Sequence, residues 1–149
     1  MPHVLSDGRA MRIVADTNTV LSGLLWQGPP RRLMDLARER AITLCTSFVL
    51  LAELAEVIAH DKFAHRVLIA GLSAAELVDD YHRLAQLIEP LALSTAISRD
   101  PDDDHVLACA AAANVNLIVT RDKDLLVLNH YERIPIVAAA DALRIISTP

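Results

Sequence analysis

The sequence predicts an α/β fold: a three-layer α/β/α sandwich around a mainly parallel sheet of about five short strands. Three observations carry this expectation. Short apolar runs alternate with longer segments whose apolar residues recur at spacings of three and four, as buried strands separated by amphipathic helices do. Hydrophobic residues make up 53% of the 149 against 22% charged, enough apolar surface to cover a sheet on both faces. Glycine is scarce, at 4, which argues against a hairpin-laden β fold and against a glycine-rich phosphate loop. The length fits one domain, residues 11–149, preceded by an aperiodic stretch from Met1 to Ala10 that reads as a mobile tail.

Arg12 to Ala15 reads as a short buried strand, ended by Asp16, Thr17 and Asn18, with a helix from Thr19 to about Leu25. Gln27, Gly28, Pro29 and Pro30 interrupt it. Pro30 suits the opening of a helix from Arg31 to Arg40, whose Leu33, Met34, Leu36 and Ala37 share one face. Ala41 to Cys45 is the second strand. Thr46 or Ser47 then caps a helix from Phe48 to about His60, with Phe48, Leu51, Leu54, Ala55 and Ile58 as its expected buried stripe. Two more helices follow, Lys62 to Ala70 stopped by Gly71, and Ser73 to Leu87 opened by a Ser73–Glu76 capping box. Ile88 to Leu93 is expected at a sheet edge, because Pro90 lacks the N–H that a central ladder needs.

The stretch from Arg99 to Leu126 organises the rest. Asp100 can cap a small-residue helix, Pro101 suits its first position, and Asp102, Asp103 and Asp104 complement the positive end of its dipole. A strand from Leu117 to Thr120 runs into a second acidic turn, Asp122 to Asp124. A short helix near Leu125, a strand from Ile134 to Val137 and a helix from Ala139 to Ile146 complete the chain.

Cys45 and Cys109 fall within apolar patterns, so buried thiols in a reducing compartment are expected rather than a disulfide or a metal site. No apolar run reaches membrane-spanning length and no secretion signal opens the chain, so a cytoplasmic location without membrane association is expected. The net charge of -5 leaves nucleic acid open as a partner, through local basic patches or through metals bridging phosphate to carboxylate.

Strands of a parallel sheet end on one edge, so residues just past them meet there however remote in sequence. Asp16 follows the first strand and Asp122 the strand ending at Thr120, while Glu53 sits roughly two turns into the helix after the second strand and Asp104 in the first turn of another helix. Each acid alone has an ordinary reading: Asp16 as a turn residue, Glu53 as a solvated helix charge, the Asp102–Asp104 run as capping. Together they would repel unless neutralised, and hard oxygen ligands without clustered His or Cys suit Mg²⁺ or Mn²⁺. Without metal, Asp16→Asn is therefore expected to be no less stable than the parent. A divalent cation at such a site activates water for phosphodiester hydrolysis. Asn18 and the Thr120 hydroxyl are supporting polar groups, and Asp124 is a further acid beside the site, whereas His105 and Trp26 read as surface or packing residues.

At these residues the chain resembles a PIN domain, the nuclease fold of the PilT N-terminus family, and more narrowly its VapC-like toxin components. The resemblance covers Met11 to Ile146, through IVADTN (Ile13 to Asn18), SFVLLAELAEVI (Ser47 to Ile58), DPDDDHVLACA (Asp100 to Ala110), IVTRDKDLL (Ile118 to Leu126) and IPIVAAADAL (Ile134 to Leu143). It implies catalytic, metal-holding acids at Asp16, Glu53, Asp104 and Asp122, with Asn18 and Thr120 in support and no organic cofactor. It also implies the strand order 3-2-1-4-5, with Ile88 to Leu93 as strand three. The Asp102–Asp104 run leaves the third ligand's register open between Asp103 and Asp104, and Arg121 stands where many members carry a small residue.

The function so implied is a Mg²⁺- or Mn²⁺-dependent ribonuclease with an RNA substrate, the toxin of a toxin–antitoxin pair. The alternative is a PIN-fold or receiver-like binding module without nuclease activity, although Val14 and Ala15 stand where a receiver wants an acidic pair. A haloacid-dehalogenase-like phosphatase would want a second Asp at position 18, which is Asn. The helices between Phe48 and Leu87 carry more apolar residues than one sheet face needs, so a homodimer and a cognate antitoxin segment are expected there.

Overall fold

The computed structural model describes residues 10–90 and 101–147. In chain order its elements begin with β1 (Met11–Ala15), α1 (Thr17–Leu25), α2 (Pro29–Arg38), β2 (Ile42–Thr46), α3 (Phe48–Ile58), a 3₁₀ turn (Asp61–Phe63), α4 (Ala64–Ala70) and α5 (Ala74–Leu84). They continue with β3 (Gln86–Leu87), α6 (Pro101–Ala113), β4 (Leu117–Val119), α7 (Lys123–Leu126), β5 (His130–Tyr131), β6 (Ile134–Val137) and α8 (Ala139–Ser147). The sheet order is β3-β2-β1-β4-β6-β5, parallel except for the β5–β6 pair.

Side chains of a strand alternate between faces, and the two halves of the core follow that alternation. Ile13, Ala15, Ile42, Leu44, Leu117 and Val119 join one buried cluster with α1, α2, α3, α5 and α8. Val14, Cys45 and Ile118 join the other, with α6 and Leu125 of α7. Both faces are thus covered, which is why the strands read as continuous apolar runs. Gly23 lets α2 approach α1 closely: an added Cβ there would stand 2.6 Å from Met34 Sδ and 3.0 Å from the Pro30 carbonyl oxygen.

The Ser73–Glu76 capping box forms as expected, at 3.0 and 3.1 Å, and Gly71 ends α4 in the left-handed region at φ 80. Other expectations need correction. The third strand lies at Gln86–Leu87, not from Ile88 onward, because α5 ends at Leu84 and Ala85 is already extended. Ile88 still donates its N–H to the Thr46 carbonyl, while residues 91–93 of the expected strand lie outside the described residues, as do the expected tail over 1–9 and the Asp100 cap.

A sixth strand, β5, turns back on β6 through Glu132 and Arg133, both at positive φ (48 and 70). Such tight hairpins ordinarily use Gly or Asn, so these two residues gave no turn signal. In α3 the buried residues are Leu50, Leu51, Leu54 and Ile58, while Phe48 and Ala55 are exposed. The helix packs against α1 and α5 on one side and α6 on another, so its buried arc is turned toward Leu50.

Candidate functional site

The ladder continues one residue past β1 and β4: the Asp16 N–H donates to the Val119 carbonyl and the Thr120 N–H to Val137, both at 3.0 Å. Asp16 and Thr120 are thereby fixed at the carboxyl edge on adjacent strands. Both are buried, Asp16 at 5% exposure and Thr120 at 0%. Buried polar groups of this kind need partners, and a continuous chain of bonds supplies them. Asp16 Oδ1 accepts the Thr19 N–H at 2.8 Å, capping α1, and Oδ2 accepts a short bond from the Thr120 hydroxyl. Thr120 Oγ1 in turn accepts the Asp122 N–H at 2.9 Å. Asp122 Oδ1 accepts the Asp124 N–H at 2.8 Å and caps α7.

Ser47 starts α3 by accepting the Leu50 N–H at 3.3 Å, and this sets Glu53 two turns along, on the side facing α1. Glu53 Oε2 accepts the Thr17 hydroxyl at 3.2 Å, and His105 Nε2 of α6 lies 3.9 Å from Oε1. Asp104, half-buried, immediately precedes His105. Its charge reaches Tyr131: burial, then Glu132, then Asp104 push the Tyr131 hydroxyl above its ordinary pKa.

The structure thus joins Asp16 to Asp122 through Thr120, and Glu53 to the residue beside Asp16 through Thr17. Asp104 immediately precedes His105, which lies beside Glu53. Among the described residues, no three His, Cys, Asp or Glu stand close enough together to hold one metal ion. The Asp103 side chain lies outside the described residues, and Asp124 contributes its N–H to Asp122 from an exposed position. The ordinary reading of Asp16, as a cap bound to nearby backbone, is fulfilled as well. This alters one expectation. An acid that satisfies a buried hydroxyl and a helix start cannot be replaced by Asn without cost, whatever repulsion is relieved.

Asn18 is exposed on α1 and lines a cavity of about 380 Å³ together with Asp122, Arg121, Trp26 and Phe63. The Arg121 guanidinium is held over α1 by donating to Ser22 Oγ at 2.6 Å. Thr17, His105, Trp26 and Phe63 were not legible as site residues. For Thr17 the available signal was its place directly after Asp16, which puts a hydroxyl in the first turn of α1; for the others it existed only in the fold.

The family model of the PIN domain matches residues 12–124, a span that contains Asp16, Glu53, Asp104 and Asp122. No curated protein matches the chain. No helix among the described residues is long and apolar enough to cross a membrane.

Proposed function

This chain belongs to the PIN-domain family, a nuclease-type fold, and on that premise we propose that it is a metal-dependent ribonuclease, the toxin of a cytoplasmic toxin–antitoxin pair. The observation that carries the reading is the chain from the Asp122 N–H through the Thr120 hydroxyl to the Asp16 carboxylate. It holds two acids in register where β1 and β4 end, at the switch point where open α/β sheets receive ligands.

The donor set fits a hard divalent cation. Asp16, Glu53, Asp104 and Asp122 offer only oxygen, while the Cys45 and Cys109 thiols are buried in the core. Each Asp16 oxygen accepts one hydrogen bond and keeps lone-pair capacity for another partner. As placed, the acids are not gathered around one point, so holding an ion requires rotation of the partly exposed Glu53 and Asp122 side chains. When bound, Mg²⁺ or Mn²⁺ lowers the pKa of a coordinated water and stabilises charge developing on the phosphate.

The chain's own residues do the positioning. Thr120 and the Thr19 N–H hold Asp16 in one orientation, and Thr17 and His105 flank Glu53. Asn18 offers an amide toward the same edge. Purified protein should cleave RNA only with added Mg²⁺ or Mn²⁺ and stop on chelation, and its induction should arrest bacterial growth. Cleavage that persists unchanged in chelator would sink the metal-dependent reading, and cleavage without growth arrest would remove the toxin role alone.

Partners follow from the surface. Leu50 and Leu54 are buried within the chain, but Leu68 is 75% exposed, beside Ile69 and Leu72, on and just after α4. An apolar patch of this kind favours a partner, and we assign it to a homodimer, with an antitoxin segment docking as a helix or strand nearby. Light scattering should give about twice the 16.3 kDa chain mass, and Leu68→Glu should return it to the monomer value. A monomeric parent would refute the dimer.

A further inference from the structure

We propose that the cavity between α1, the 3₁₀ turn and the start of α7 is a nucleotide subsite, which takes the nucleotide next to the scissile phosphate of a single-stranded RNA. The proposal rests on the ribonuclease reading and names the substrate conformation that the same edge selects.

Four observations converge. First, the cavity adjoins the acids, since Asp122 and Asn18 are part of its wall. Its volume of about 380 Å³ falls in the range of small-ligand pockets. Second, two aromatic rings face it, Trp26 and Phe63, packed edge to face with centroids 6.2 Å apart. Bases stack on such surfaces regardless of sequence. Third, Arg121 brings a cation to the rim. Its bond to Ser22 Oγ leaves the other N–H groups of an exposed guanidinium available, in the fork that matches a phosphate. Fourth, Asn18 and Ser22 are one helical turn apart on the same face of α1, both lining the cavity, so an amide and a hydroxyl stand ready for a base edge.

Arg121, Ser22 and Trp26 also line a neighbouring cavity of about 580 Å³ that runs on past Pro29 and Pro30. The Arg66 guanidinium lies over the Trp26 ring, 4.9 Å from its centroid, and lines a different cavity. A duplex keeps its bases stacked within the helix and cannot offer one to this recess, whereas a single strand can splay a base into it.

Trp26 is the only tryptophan of the chain, so its emission reports the subsite without labelling. The full chain, in chelator to prevent cleavage, is titrated with a short single-stranded oligoribonucleotide and with its duplex. Saturable quenching by the single strand, and little by the duplex, is expected. Arg121→Gln should raise the midpoint about tenfold and lower the salt dependence of binding by about one counterion. Phe63→Leu, which keeps the apolar volume, should weaken binding with no change in that salt dependence. End-label anisotropy that shows binding while Trp26 emission stays flat would overturn the proposal and point to another occupant, such as a protein segment. So would an Arg121→Gln midpoint equal to the parent's. In both cases cleavage by the parent in Mg²⁺ leaves the ribonuclease reading standing. A parent that neither binds nor cleaves RNA overturns both.

Discussion

Asp16→Asn is expected to abolish RNA cleavage and to remove the rise in melting temperature that Mg²⁺ or Mn²⁺ should give the parent. The substitution keeps the side-chain shape and removes one charge and one acceptor. Asn can still accept the Thr19 N–H, so α1 keeps its cap. Its amide must then face the Thr120 hydroxyl, which already accepts the Asp122 N–H. Thr120 can accept a second bond, but its own proton is left without an acceptor at a site of 0% exposure. The loss is about 1–2 kcal/mol, within the range for leaving a buried polar group unsatisfied. For a domain of this size that lowers the metal-free melting temperature by about 3–8 °C.

Metal separates the ligand role from the capping role. At ten times its dissociation constant a ligand stabilises the native state by about 1.4 kcal/mol. The parent should therefore melt about 3–6 °C higher in metal than in chelator, and the variant should not. Melting curves of both proteins in both conditions measure this difference of differences. Equal metal-induced shifts would remove Asp16 from the metal site and leave it a helix cap.

Thr120→Val is expected to cost more stability than any exposed substitution near the edge. Valine fills nearly the same volume, so the change isolates the hydroxyl. Two bonds disappear at once: the one donated to the Asp16 carboxylate and the one accepted from the Asp122 N–H. Both lost partners stay near the protein interior, and the carboxylate is charged. The expected destabilisation is about 2–4 kcal/mol, read as a shift in denaturation midpoint at unchanged slope. Cleavage should fall as well, because Asp16 and Asp122 lose the atom that sets their mutual position. Thr120→Ser restores the hydroxyl and should recover most of the activity, with only the methyl's packing lost. Activity in Thr120→Val equal to the parent's would show that the acids do not need this link. A serine variant no better than valine would assign the effect to packing instead.

Fold class and most elements could be read from the chain alone, because each rests on short-range chemistry. Buried strands such as Arg12 to Ala15 and Ile134 to Val137 announce themselves by apolar runs, and Ser73 with Glu76 announces a helix start by reciprocal caps. Asp16 and Asp122 stood out because each lies just past the end of a strand. The β5 hairpin stayed hidden because Glu132 and Arg133 take left-handed backbone without a turn residue to signal it. The third strand was misplaced because one pairing, Cys45 with Gln86 and Thr46 with Leu87, decides where it lies, and a pairing between distant segments has no local signature.

The same holds at the site. That Thr120 donates to Asp16, 104 residues away, follows from the parallel register of β1 and β4. That Thr17 reaches Glu53 depends on the packing of α3 against α1. Trp26 and Arg121 share a cavity because Ser22 holds the guanidinium over α1. Residue type and local spacing determine which groups carry the chemistry. Their mutual distances are set by strand register and helix packing, which sum many weak contacts across the whole chain and exist only once it has folded.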